Sequence, residues 1–313
     1  MVIESFCNAN YSRYAILVHS LNQGRRKLLL ALLPVQVLRI MAKAKVNHIE
    51  ISYEVAGEGE AIVLIHGHPF DHTMWYPQIK AFSSSYQVVA PDLRGYGKSG
   101  LPDNPATRFE DYATDMLLLA DHLKIESFHL AGLSMGGQII MEMFRQAPGR
   151  IKTLIFADTF ASLDTPEVKQ GRYDAAARLE KEGMNAYADE VIYKMFKPEH
   201  VRSMPNAAGH VIKMVKATSP KGAGTALRAR AGRIDYLKDV FPLINIPTLV
   251  IVGRDDEFTP VSKAEEMKEN LNNCKLVVIE DAGHMPNLEH PEEFNEVVLD
   301  FLQTVSHYGS GSF

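Results

Sequence analysis

Between Val46 and Val55 apolar and polar residues alternate, with Ile49, Ile51, Tyr53 and Val55 on one face. That is the period of a half-buried strand. Ala56-Gly57-Glu58-Gly59-Glu60 reads as a turn, and beyond it the pattern becomes a series of short, almost uninterrupted apolar runs. These are Ala61–Ile65, Gln87–Ala90, Ser127–Leu133, Thr153–Ala157, Thr248–Val252 and Lys275–Ile279. Strands covered on both faces need such runs. Helical periodicity lies between them. Arg108–Leu123 puts Phe109, Tyr112, Met116, Leu119, Ala120 and Leu123 at helical spacing, with Thr107 and Glu110 as a capping box. Glu292–Val305 does the same with Phe294, Val297, Val298, Phe301 and Leu302, behind Pro291. Strands alternating with helices predict an α/β fold: a mostly parallel sheet flanked by helices.

One interval breaks the rhythm. From Phe160 to Ile246 there is no run that reads as a buried strand. Helix-like pieces recur near Gln170–Glu182, Asn185–Met195, Ala207–Lys216 and Ala223–Arg233, with many Met and aromatic residues among them. The expected organisation is a core in two parts, residues 41–159 and 247–306, interrupted by a helical cap at 160–246 that walls a pocket above the strand ends.

The first 40 residues have another texture. Arg25-Arg26-Lys27 precedes an apolar stretch, Leu28 to Leu38, too short to span a bilayer. It has the length of a signal-peptide apolar region, and Ala42-Lys43-Ala44 resembles a small-residue cleavage site. The favoured reading makes residues 1–40 an extension outside the fold, with Met41 as the working start and a cytoplasmic location. Export through a signal-like segment before Ala44 is the alternative. Residues 307–313, ending in Gly309-Ser310-Gly311-Ser312-Phe313, read as a tail. The formal net charge of −5 gives no basic footprint for nucleic acid or anionic lipid. Two distant cysteines, Cys7 and Cys274, argue against a disulfide framework or a cysteine-based metal site.

The candidate chemistry begins at Gly132-Leu133-Ser134-Met135-Gly136-Gly137. A serine between glycines, after a strand-like run and before a helix-like one, has the pattern of a nucleophile elbow. On so sharp a turn, residues lacking a Cβ relieve crowding. The next N–H then opens a helix where an oxyanion would form. A serine hydroxyl needs an oriented base. His284, in Ala282-Gly283-His284-Met285-Pro286, is the best placed of the twelve histidines, because it follows a strand end on the same edge as Ser134. The acid has several candidates: Asp255, Asp256 and Glu257 are adjacent after Thr248–Val252, and Asp158 follows Thr153–Ala157. Spacing alone does not choose among them. His66, His68, Asp71 and His72 lie close in sequence.

In order, His66-Gly67-His68-Pro69, Asp92-Leu93-Arg94-Gly95-Tyr96-Gly97-Lys98-Ser99, the Ser134 hexapeptide, Gly253–Pro260 and Gly283-His284 resemble the α/β-hydrolase family over about Val46–Val305. The resemblance implies Ser134 as nucleophile and His284 as base. It points to Asp256 as the acid, three residues after Gly253 and four before Pro260. The oxyanion hole would be the backbone N–H groups of His68 and Met135, and losing one such donor typically costs ~3 kcal/mol. A serine in place of aspartate excludes dehalogenase and epoxide-hydrolase chemistry. The sequence is similar to serine esterases, lactonases and cofactor-free haloperoxidase-like members, which implies a small-molecule ester or lactone substrate, with no cofactor and no metal. Cleavage of a C–C bond, perhydrolysis, and a hydrolase-like receptor for a small ligand are the alternatives. His68 stands where many relatives carry a large apolar residue, so its side chain is a candidate substrate contact. His66, Asp92, Arg94 and Ser99 read as loop-bracing residues.

Overall fold

The computed structural model describes residues 3–6, 15–22, 25–31, 39–101 and 107–308. The chain divides into two compact units, 1–38 and 39–313. In the first, β1 (Ile3–Phe6), β2 (Ala15–Asn22) and β3 (Arg25–Ala31) form an antiparallel sheet in that order. β3 takes in Arg25-Arg26-Lys27 and the start of the apolar stretch. The rest of that stretch, Cys7 and the tail from Gly309 lie outside the described residues.

The second unit is built on an eight-stranded sheet. Its strands are β4 (Arg39–Val46), β5 (Ile49–Ala56), β6 (Ala61–Ile65), β7 (Gln87–Pro91), β8 (Phe128–Leu133), β9 (Ile151–Ala157), β10 (Thr248–Gly253) and β11 (Cys274–Ile279). Their spatial order is β11-β10-β9-β8-β6-β7-β5-β4. The six strands from β6 to β11 are parallel to their neighbours, and β5 and β4 add on antiparallel. Every residue of β6, β8 and β10 is buried, as continuous apolar runs require.

The edges behave differently. β11 is apolar in sequence yet half-exposed, because it has a neighbour on one side only. β4 lies at the other edge, where Lys43 and Lys45 face solvent and Ala44 and Val46 face the core. Exposed lysines suit an unpaired edge. β4 pairs with β5 through a tight turn at Asn47 and His48, both at positive φ. The alternation is therefore longer than Val46–Val55. Ala42-Lys43-Ala44 is strand, and Arg39 and Ile40, ahead of the expected start at Met41, belong to it.

Twelve α-helices occur among the described residues. The first three are α1 (Tyr76–Phe82), α2 (Phe109–His122) and α3 (Met135–Gln146). Between β9 and β10 come α4 (Pro166–Glu182), α5 (Asn185–Met195), α6 (Pro198–Ser203), α7 (Pro205–Ala217), α8 (Pro220–Ala231) and the short α9 (Tyr236–Asp239). The chain ends with α10 (Val261–Glu269), α11 (Pro286–Glu289) and α12 (Pro291–Tyr308), so the last helix reaches past the expected tail boundary at 307. α2, α3 and α10 share one core with the sheet, through Met116, Ile139, Met143, Met267 and the inward residues of β6, β8 and β10. On the opposite face α1 packs with α12, where Trp75 and Phe294 are buried with ring centroids 6.2 Å apart. The sheet is thus covered on both faces, as expected.

The start of α2 departs from expectation. Its N-cap is Arg108 rather than Thr107, and the Asp111 carboxylate accepts from the Arg108 N–H at 2.8 Å. The sequence frame was one residue early.

Candidate active site

Parallel strands deliver their C-terminal ends to one edge of the sheet, the place where such folds bind ligands. His66–His68 follow β6, Asp92 follows β7, Ser134 follows β8, Asp158 follows β9, Asp256 follows β10 and His284 follows β11. The candidate residues are far apart in sequence and share this edge.

Ser134 is the N-cap of α3 and has φ 56°, ψ −116°. A non-glycine residue at positive φ is strained, and surrounding structure must hold it. The Ser134 N–H donates to the Ala157 carbonyl at 2.9 Å, and Thr159 Oγ1 donates to the Ser134 carbonyl at 2.7 Å. A Cβ on Gly132 would stand 2.4 Å from the Gly136 carbonyl oxygen, so the elbow closes only around glycine. The earliest i→i−4 bond of α3 runs from the Gln138 N–H to the Ser134 carbonyl. The Met135 N–H therefore has no partner within the helix and lies at its positive end.

His284 Nδ1 is 2.8 Å from Asp256 Oδ2, and both side chains are buried. Among the four acids left open by the sequence, Asp256 is the one hydrogen-bonded to His284. Asp255 is exposed and pairs with Lys197, and Glu257 is exposed. Asp256 is held by its own turn. The Phe258 and Thr259 N–H groups donate to its Oδ1 at 2.8 and 3.0 Å, and the Thr259 hydroxyl donates to Oδ2. Burial works to raise its pKa, but the charge and hydrogen bond of His284, with the side-chain and backbone hydrogen bonds of Thr259, bring it below the ordinary carboxylate value. The Phe258 ring packs 5.1 Å from the imidazole.

Asp158 has the opposite state. Burial first, then the neighbouring Asp256 charge, push it well above the usual range. Its Oδ1 accepts from the Gly253 N–H at 2.9 Å. Ligand atoms of Asp158, Asp256 and His284 all lie within 4.8 Å of one another. Two buried carboxylates this close oppose each other's ionisation, and their shifts run in opposite directions.

The loop after β6 contains two different histidines. His66 is fully spent: its Nε2 accepts from the Leu93 N–H at 2.9 Å and its Nδ1 lies 2.8 Å from the Gly67 carbonyl. His68 is buried with Nδ1 2.7 Å from the Tyr96 hydroxyl, and among the described residues its Nε2 has no partner. Burial, with smaller contributions from Arg230 and Arg172, lowers its pKa to about 3, so the ring is neutral. Asp92 braces the neighbouring loops, accepting from the His72 N–H, His72 Nδ1 and the Lys98 N–H at 2.9, 2.6 and 2.8 Å. Ser99 Oγ donates to the Asp92 carbonyl, and Arg94 forks onto the buried Asp115 at 2.6 Å through both nitrogens.

Two other groups of His and acidic side chains bring three ligand atoms together: Asp71, His72 and Asp92, and His200, Asp281 and His290. In the first, Asp92 is already the loop brace. A cleft of about 500 Å³ is lined by Arg39, Glu54, His72, Tyr76, Lys98 and Met214 among others, and does not include Ser134, Asp256 or His284.

Some supporting residues were not legible. Glu289 is buried, accepts from the Gly283 N–H at 2.8 Å and from the Lys197 N–H at 3.0 Å, and lies 2.7 Å from His200 Nδ1. It ties the His284 loop to α6, and partners about ninety residues away leave no local signal. Thr259 did have one: a threonine three residues after an aspartate is a local turn pattern, and it would have favoured Asp256 over its neighbours. The helices between β9 and β10 touch this edge directly. Thr218 Oγ1 donates to the Pro69 carbonyl at 2.8 Å, and Gly222 approaches Gly95 so closely that a Cβ would stand 2.1 Å from its carbonyl oxygen.

A family model described as the alpha/beta hydrolase family matches residues 62–297. The chain is 30% identical over 245 residues to 3-oxoadipate enol-lactonase 1 of Acinetobacter baylyi, covering 78% of this chain and 89% of that one. Among solved structures it resembles a thermophilic esterase from Thermogutta terrifontis, determined with malate bound. The TM-score is 0.80 and the identity 34%, over 86% of this chain and 99% of that one. It also resembles the enol-lactonase from Burkholderia xenovorans LB400, with a TM-score of 0.78 and 30% identity over 84% and 100% of the two chains. These relatives are ester- and lactone-cleaving hydrolases. Among the described residues no helix is long and apolar enough to cross a membrane.

Proposed function

The chain belongs to the alpha/beta hydrolase family, and on that premise we propose that it is a serine hydrolase of carboxylic esters or lactones, working through an acyl-enzyme on Ser134. The carrying observation is the buried His284–Asp256 hydrogen bond on the same sheet edge as a serine held at positive φ at the start of α3. Asp256 fixes the imidazole with its Nδ1–H toward the carboxylate, which leaves Nε2 to take the Ser134 proton and to hand it to the departing alcohol. The Met135 and His68 N–H groups receive the oxyanion. Water then repeats the sequence on the acyl-enzyme. The helices between β9 and β10 form the cap over the pocket, residues 160–246.

The test is a panel of esters and lactones graded in chain length, with Ser134→Ala as the blank. Turnover by the natural protein, a trapped acyl adduct on Ser134 by mass spectrometry and loss of both in the variant are the expected results. Undiminished ester turnover by Ser134→Ala would sink the reading.

A further inference from the structure

Arg230 lies in the last turn of α8 and is buried. Its Nε donates to Gln138 Oε1 at 2.7 Å, and its guanidinium carbon stands 5.7 Å from the Phe160 ring centroid. Among the described residues no carboxylate comes within ion-pair distance of it. The acid of this neighbourhood, Asp164, is consumed by two other arginines. Arg172 from α4 and Arg233 each reach its Oδ2 at 2.6 Å, and both make a second contact to Oδ1. Two arginines thus take up Asp164, and Arg230 is left over. A buried cation without a carboxylate beside it is costly to keep, and burial, then Arg172 and Arg233, weaken its hold on its proton. Proteins keep such a charge where a ligand completes it.

The position is specific. Gln138, which anchors Arg230, is itself buried, with its Nε2 donating to the Phe160 carbonyl at 3.1 Å. It lies one turn of α3 beyond Ser134, about 6 Å along the axis. Gly222, on the same helix as Arg230, packs against Gly95, next to Tyr96, whose hydroxyl lies 2.7 Å from His68 Nδ1, and the charge of Arg230 bears on His68, Tyr96 and Tyr187. There a second polar group is unspent. The His68 ring is neutral, its Nδ1 lies 2.7 Å from the Tyr96 hydroxyl, and among the described residues its buried Nε2 has no hydrogen-bond partner. With Nε committed to Gln138, Arg230 offers its two terminal nitrogens, whose spacing matches the two oxygens of a carboxylate.

We propose that Arg230 and His68 Nε2 form a carboxylate-recognition site, and that the substrate is an ester or lactone bearing a second, ionised carboxylate a short spacer away from the reacting carbonyl. This rests on the reading of Ser134 as the acyl nucleophile.

The experiment compares monomethyl adipate with methyl hexanoate, matched in chain length and differing in the far carboxylate. The natural protein should prefer the charged ester in kcat/KM by on the order of tenfold to a hundredfold, the range of a charge-assisted hydrogen-bond pair. Arg230→Met should bring that ratio near one, chiefly through KM for the charged ester, and Arg230→Lys should restore part of it. A ratio near one in the natural protein, or equal losses on both esters in Arg230→Met and Arg230→Lys, would overturn the proposal while leaving ester hydrolysis standing. If neither ester is cleaved, the serine-hydrolase reading falls and calorimetry decides this one. Monomethyl adipate should bind the full-length Ser134→Ala protein and lose binding when Arg230→Met is added. Absent or unchanged binding overturns it.

Discussion

Gly67 and Ser134 come from different strands and meet at van der Waals contact. A Cβ built on Gly67 would stand 3.2 Å from the Ser134 Cβ and 3.0 Å from the Leu133 carbonyl oxygen. The loop that supplies one proposed oxyanion donor, His68, is thus seated directly on the proposed nucleophile. Gly67→Ala must displace one of them by a few tenths of an ångström. It should lower kcat for ester cleavage by about tenfold with KM little changed, since small misplacements cost that much in positioned chemistry. Steady-state kinetics on a soluble ester check this, and an unchanged kcat would show that the contact does not set the geometry.

Asp256 and Asp158 carry equal formal chemistry in opposite states. Asp256→Asn should reduce kcat on the order of 10⁴-fold, the scale seen when a triad acid is made neutral. Burial and the Asp256 charge push Asp158 well above the usual carboxylate range, and Asn preserves an acceptor for the Gly253 N–H. Asp158→Asn should therefore cost less than about tenfold. Reversal of that order would exchange their roles.

Arg94 and Asp115 are a buried pair joined by two hydrogen bonds, with Asn47 Nδ2 also donating to Asp115 at 2.9 Å. Arg94→Met strands the carboxylate and should cost about 3–5 kcal/mol in urea unfolding. The double change Arg94→Met/Asp115→Leu should recover much of it. A single variant within about 1 kcal/mol of the natural protein would contradict the assignment.

His72 and Asp92 predict a pH window. Burial opposes charge on both, and their mutual attraction prevails, raising His72 above its ordinary 6.5 and lowering Asp92 below its ordinary 3.8. The His72 contribution is fully present below 6.5 and fades as pH rises through the raised value. The Asp92 contribution is present above 3.8 and fades as pH falls through the lowered value. The difference in Tm between the natural protein and His72→Gln should be greatest between these limits and shrink toward alkaline pH. A difference that grows above neutrality would refute it.

What the sequence disclosed follows from where each signal is stored. The interior strands were legible because burial on both faces writes an unbroken apolar run, as in Ala61–Ile65. β4 was not, because an edge strand keeps lysines and only two inward residues. Ser134 and His284 stood out through glycine-flanked turns after strands. Asp256 was singled out by resemblance, the turn signal of Thr259 went unused, and its bond to His284 then set it apart. Arg230 was invisible in sequence. Its meaning lies in the lack of a partner, which depends on Asp164 being taken by residues on other elements.

The Leu237 N–H donates to the Ala161 carbonyl at 3.3 Å. This bond closes the excursion that carries α4 to α8, so the chain leaves the sheet and returns to it at nearly the same point. The segment inside that closure still grips the strand ends, through Thr218 on the Pro69 carbonyl, Gly222 against Gly95 and Arg230 on Gln138. Replacing it with another helical assembly would have to rebuild those three seats.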